Sequence, residues 1–309
     1  MSDDVDNMPE DERLIVELLA ESPQVETAGG THTGLKRKSN EDAYTFGRIG
    51  RFMEVIDSSL PPSPLTERME QAGWFAIVAD GMGGHAAGEI ASRAALAAAF
   101  EATLRRSTWV THVSSEEVPD ALDRMRQLVE KVHAAVSDVA RADPKLQGMG
   151  TTFTVARIAG CSLALGHVGD SRIYLLRKGV LRQLTKDHTS AQLLADIGEI
   201  RPEEVARHSA SHILTQAIGS GKPIKAEVRH VWLLDGDALL LSSDGLTGVV
   251  DEAEIAAAMQ RDAPPQTIVD ELIGRALEGG GPDNVTVVFA RVRNPPARPV
   301  AGESNTTAS

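Results

Sequence analysis

The chain has 309 residues, with 44 Asp and Glu against 31 Lys and Arg, for a formal charge of −13 at pH 7. That balance excludes sequence-independent binding to nucleic acid or to an anionic membrane, both of which require clustered cations. The single cysteine, Cys161, excludes a disulfide framework and any multi-cysteine metal site.

No run approaches the ~20 apolar residues of a membrane span, and the N-terminus is acidic where a signal peptide is basic. A soluble, cytoplasmic protein is expected. Residues 1–24 read as an acidic tail. The first 22 hold eight carboxylates and one Arg, and within them only Asp11–Leu19 has the pattern of a short helix. Residues 25–293 read as one domain, with no repeat and no low-complexity linker. A segment with three prolines at 57–68 reads as a surface loop between two strands, the second of them the apolar run Trp74–Ala79. Two long helices follow. The first is Ala-rich, with Leu96, Phe100 and Leu104 recurring every four residues. The second carries Leu122, Met125, Val129, Val132, Val136 and Val139 along one face. Further strands are expected at Thr152–Ile158, Ser162–Val168, Arg172–Leu176, Ile224–Leu233, Ala238–Ser242 and Val285–Val292. Helices near 252–261 and 265–278 separate the last two, the earlier one opened by a capping box of Asp251 and Glu254. Residues 294–309 turn to Pro, Ala, Ser and Thr and read as a disordered tail. Strands, a helix pair, more strands and a second pair predict an α+β domain of sheets covered by antiparallel helix pairs.

Three aspartates share one context. Asp80 ends an apolar strand and drops into glycines, Asp244 does the same, and Asp283 stands just before a strand. Carboxylates on strand ends are fixed by the sheet while their heads converge. As hard oxygen ligands they suit Mg²⁺ or Mn²⁺, which take few protein ligands and keep several waters. Gly81 and Gly245 would let backbone approach a metal, Gly81 through its carbonyl. Singly, each Asp-Gly pair is also a common turn.

With the cluster Arg37…Asn40-Glu41-Asp42 added, the chain resembles the metal-dependent protein phosphatases of the PPM (PP2C-like) family, bacterial type. Seven motifs stand in family order. Beyond the first they are Asp80-Gly-Met-Gly-Gly-His85, Met149-Gly-Thr-Thr152, His167-Val-Gly-Asp-Ser-Arg172, Thr185-Lys-Asp-His188, Ser243-Asp-Gly245 and Pro282-Asp-Asn284. The resemblance implies a four-layer α-β-β-α sandwich and hydrolysis of phosphoserine and phosphothreonine esters by a water bridging two Mn²⁺ or Mg²⁺ ions. It implies that Asp80 bridges the metals, that Asp244 and Asp283 complete the first, and that the Gly81 carbonyl serves the second. Glu41 and Asp42 would hold metal-bound waters, and Arg37 would make the bidentate phosphate contact. A third, weaker metal would bind through Asp170. Many relatives carry a further Asp four residues after the position of Asp244, whereas this chain has Gly248, and Asp251 is taken by the capping box. The implied partners are phosphorylated proteins, targets of a serine/threonine kinase, with the segment from His188 to Gly221 as a flap beside the site.

Other chemistries fit the letters poorly. A cysteine-dependent phosphatase needs Arg six residues after its Cys, and that position is His167. A histidine phosphatase needs Arg-His-Gly, and the chain has Arg207-His208-Ser209. Asp235-Gly236-Asp237 approaches a haloacid-dehalogenase pattern, but Leu239 stands where Thr or Val is wanted, and the triplet reads as a hairpin turn. A catalytically silent binding module would have lost the strand-end aspartates. His167 and His188 read as network histidines, and His85 as either a helix-start or a crevice residue. Met82 stands where some relatives place a histidine proton donor, so the general acid is unassigned.

Overall fold

A computed structural model describes residues 23–54, 68–83, 87–105 and 113–296. The expected leader helix, nearly all of the 57–68 loop, His85 and the tail beyond residue 296 lie outside the described residues. Two antiparallel sheets form. The first orders β1 (Gln24–His32), β11 (Val285–Arg293), β10 (Ala238–Ser242), β7 (Arg172–Arg177) and β8 (Val180–Gln183). The second orders β2 (Asp42–Glu54), β3 (Arg68–Met82), β5 (Phe153–Ala159), β6 (Ser162–Val168) and β9 (Glu227–Trp232), with the short β4 (Gly150–Thr151) paired to the end of β3.

The strand period of two sends alternate side chains to opposite faces, and each face finds a cover. Val78, Leu163, Leu165, Ile173, Leu239, Leu241 and Val288 meet between the sheets. Tyr174, Leu240 and Phe289 face outward from the first sheet onto α5 (Glu252–Met259) and α6 (Pro265–Glu278). Ile77, Phe153 and Val155 face outward from the second onto α1 (Ala87–Leu104) and α2 (Val118–Ala142). The result is the expected α-β-β-α layering.

Two sequence expectations are corrected. The buried face of α1 is not Leu96, Phe100 and Leu104 but Ala87, Ala91, Ala95 and Ala99. Phe100 and Leu104 are exposed, because small side chains seat this helix close against β3 and β2. The stripe on α2 holds through its centre, where Met125, Val129, Val132 and Val136 are buried. Asp235-Gly236-Asp237 is not a hairpin turn, since β9 and β10 belong to different sheets. It carries the chain between them, and the buried Asp237 accepts from Arg177 (2.9 and 2.5 Å) and from the Leu234 amide (2.8 Å). The capping box forms as read, with the Glu254 amide donating to Asp251 Oδ1 at 2.8 Å.

Candidate active site

Strand register brings the acids together. Asp42, first residue of β2, lies directly across from Asp80 near the end of β3. After α3 (Ser190–Asp196), Asp244 opens the short α4 (Asp244–Thr247) beyond β10, Asp283 precedes the neighbouring β11, and Asp170 follows β6. Each therefore rides on the end of a paired strand, and both sheets deliver their acids to one end of the sandwich. The main chain locks the junction. The Thr152 amide donates to the Asp80 carbonyl (2.8 Å), and the Asp80 amide donates to Thr152 Oγ1 (2.8 Å), which itself bonds Ser171 Oγ (2.7 Å).

Convergence has an electrostatic cost. Burial, followed by the charges of Asp42, Asp244, Asp170 and Asp283, lifts the Asp80 carboxyl well above the usual range. Burial pushes Asp42 up to about 7 against the hydroxyls of Thr286 and Ser243, which pull it down. Asp170 rises to about 8 through burial and the charges of Asp244 and Asp187. Asp244 is raised by burial and by Asp283. Acids that raise one another in this way suit a divalent cation, which would remove the repulsion that the protein alone leaves in place.

Asp42 tests that reading. Its Oδ2 accepts from Ser243 Oγ (2.8 Å) and Thr286 Oγ1 (2.6 Å), which fix the carboxylate, while its Oδ1 is buried with no hydrogen-bond partner. Such an orphaned oxygen is costly without a ligand, and it fits a bound ion or a water of that ion.

Packing also requires the two glycines. A Cβ on Gly81 would collide with the Gly88 carbonyl and crowd the Glu41 carbonyl, and one on Gly245 would collide with the Asn284 carbonyl. Each is required where two backbones touch. Arg37 Nη2 lies 2.6 Å from Asp283 Oδ2, so the guanidinium expected to bind phosphate contacts a carboxylate expected to bind metal. Glu41 is half-buried, its carboxyl raised first by burial and then by Asp283 against the pull of Arg37. Its carbonyl accepts from the Gly81 amide (3.2 Å) and Ser92 Oγ (2.7 Å).

Around Asp170, His188 holds Gly169 from both sides. Its amide donates to the Gly169 carbonyl (2.7 Å), and its Nδ1 accepts the Gly169 amide (3.2 Å). His167 stacks on His188 and bonds Thr154 through Nδ1 (2.8 Å). These two histidines and Glu227 lie close enough to suggest a metal group. His188 Nδ1 is engaged as described and Glu227 Oε2 accepts the Lys186 amide (2.8 Å), whereas His167 Nε2 is buried with no hydrogen-bond partner. Arg172 forks onto Asp187 (2.7 and 3.0 Å) and joins two more of the motifs. The roles of Ser243, Thr286, Thr152 and Asn284 were missed. All but Thr286 lay inside quoted motifs, and nothing in the letters says which group a hydroxyl or amide will meet.

An acid cluster at one end of a β-sandwich, with helix pairs on both faces, is the arrangement implied by the resemblance to metal-dependent phosphatases. Residues 65–271 match the family described as protein phosphatase 2C. The serine/threonine protein phosphatase PstP of Mycobacterium tuberculosis is 41% identical over 216 residues, 70% of this chain and 40% of that protein. Protein phosphatase PhpP of Streptococcus pneumoniae is 36% identical over 264 residues, 84% of this chain and 94% of that protein. The crystal structure of the PstP catalytic domain in complex with two manganese ions superposes with a TM-score of 0.69 at 34% identity, covering 88% of this chain and all of that one. The chain belongs to the protein phosphatase 2C family. Among the described residues no helix is long and apolar enough to cross a membrane.

Proposed function

We propose that the chain is a serine/threonine protein phosphatase that hydrolyses phosphoserine and phosphothreonine esters on proteins, opposing a serine/threonine kinase. The observation that carries this reading is the convergence of Asp42, Asp80, Asp170, Asp244 and Asp283, with one oxygen of Asp42 left open. Asp80, Asp244, Asp283 and the Gly81 carbonyl would hold two Mn²⁺ or Mg²⁺ ions, with Asp170 for a weaker third. Bound there, the ions would supply an acidified water as nucleophile and positive charge against the phosphoryl oxygens.

The chain's own groups orient the reactants. Asp42, fixed through Oδ2 by Ser243 and Thr286, offers Oδ1 to accept a proton from the attacking water. Glu41 would hold a metal-bound water. Arg37 binds the phosphate in the planar, two-point manner of guanidinium, and leaves Asp283 to do so. Hydrolysis of p-nitrophenyl phosphate and of phosphothreonine peptides, measured with Mn²⁺ and with EDTA, tests the reading. Turnover that requires the metal is expected, and turnover that survives EDTA would overturn it.

A further inference from the structure

Arg37 pairs with Asp283 at 2.6 Å, yet its side chain is 57% exposed. No packing of its own therefore fixes where the guanidinium points. Its position is inherited from the segment 33–41, which Asn40 ties to Thr31 Oγ1 (2.8 Å) and Asn284 ties across its two limbs. The carboxamide of Asn284, 5% exposed, donates from Nδ2 to the Thr33 carbonyl (2.8 Å) and to the Ser39 carbonyl (2.9 Å), and accepts the Glu41 amide on Oδ1 (2.8 Å). Both amide hydrogens and the amide oxygen are used, and they meet the two limbs of the loop and its exit. Asn284 follows Asp283 directly, so one residue links the Arg37 loop to the acid that Arg37 contacts. The same loop is pressed at its base onto the segment that precedes β11. The Leu35 amide donates to the Gly281 carbonyl (2.8 Å), and Gly34, at φ +80°, sits where any Cβ would collide with the Asp283 carbonyl.

We propose that Asn284 is a positioning residue for phosphate binding: through this three-way clasp it sets Arg37 and Glu41 over Asp283. The proposal rests on the phosphatase reading for its kinetic arm alone. No other residue type reproduces the clasp at this site. Aspartate of the same shape has no hydrogen to give to two carbonyls and would oppose them with charge, and alanine leaves two buried carbonyls and an amide unpaired. The loss should fall on phosphate recognition, because Asp80 and Asp244 are held by other contacts.

The test uses the full chain with Asn284→Ala, Asn284→Asp, Arg37→Ala and the double variant Arg37→Ala/Asn284→Ala. Inorganic phosphate is the competitive probe and calorimetry with Mn²⁺ is the metal readout. Expected is a rise of about tenfold in the phosphate inhibition constant and in KM for Asn284→Ala, with Mn²⁺ affinity within about threefold of wild type. The double variant should bind phosphate no worse than Arg37→Ala, since residues acting as one unit are not additive. Additive losses would overturn the proposal, as would wild-type phosphate affinity in Asn284→Ala. Hydrogen exchange of the Glu41 amide reads the clasp without any activity. It should lose protection in Asn284→Ala, and unchanged protection would sink the clasp even in an active enzyme. A wild-type chain without metal-dependent turnover would sink the phosphatase reading and leave this arm standing.

Discussion

At Asp80 the charges of four other aspartates are felt at once, whereas Asp170 stands at the margin with Asp244 and Asp187. The position four residues beyond Asp244 is Gly248, which brings no carboxylate, and Asp251 spends its own on the Glu254 amide. A hard cation at Asp170 therefore has fewer charged ligands than the pair centred on Asp80. Asp80→Asn should lower kcat by about 10²–10³-fold or more, the scale of losing a central electrostatic stabiliser. Asp170→Asn should lower it by less than about tenfold, under ~1.4 kcal/mol of barrier. Equal losses in the two variants, or three Mn²⁺ sites of equal affinity by titration, would contradict this. Without metal the same acids impose a pH dependence. An acid raised in the fold stabilises it fully below its ordinary value near 4 and withdraws that stability as pH rises through the folded value. For Asp42 and Asp170, at about 7 and about 8, the window runs from about pH 4 to pH 8. In EDTA, Tm should fall as pH rises across it, and Mn²⁺ should flatten or reverse the fall. A metal-free Tm that climbs over this interval would be the opposite sign. The aspartates themselves were legible because each strand-end acid is flanked by an apolar run and by glycine or proline. The groups that aim Asp42 were not, since Ser243 and Thr286 lie 201 and 244 residues away in the chain.

Among the elements, β1, β8 and the two-residue β4 escaped the sequence reading, and β2 was implied only as the strand before the 57–68 loop; β1 and β8 close the first sheet, and β2 closes the second. An edge strand has one neighbour and less burial, so it carries a weaker apolar run. In β1 the signal is diluted further by Gly29 and Gly30, and a Cβ on Gly29 would lie 2.7 and 2.8 Å from the rings of Tyr44 and Phe46. The central strands β3, β5, β6, β7, β10 and β11 were visible because both faces are covered. Helix α1 misled for the complementary reason. Its large residues are regular in sequence, yet contact is made by alanines, whose size lets helix and sheet approach. Ala95, at 0% exposure, has no room to grow, so Ala95→Leu should cost about 1–3 kcal/mol by overpacking. Leu104, at 69% exposure, should change stability by less than about 0.5 kcal/mol when replaced by alanine. Urea unfolding of the two variants decides which face is buried, and a reversed order would restore the sequence reading.

For the whole molecule, the two ends of the sandwich carry different tasks. Strand β1 runs antiparallel to β11, with Gln24 opposite Arg293 and His32 opposite Val285. Val285 lies two residues from Asp283, so the acids occupy the His32 end of β1, and the acidic leader joins the domain at the other end. Eight steps along an antiparallel strand span about 27 Å. That is roughly three Debye lengths at physiological ionic strength, so charge at the attachment point is screened from the site. The leader holds eight carboxylates against one Arg, about half of the net charge of −13, and its removal changes the field of the molecule more than the field at Asp80. Deleting residues 1–22 should therefore alter turnover of p-nitrophenyl phosphate by less than about twofold at physiological salt, with the Mn²⁺ requirement unchanged. A several-fold rise on deletion, abolished by added salt, would mean instead that the carboxylates reach across the domain and compete with phosphate for the metal centre.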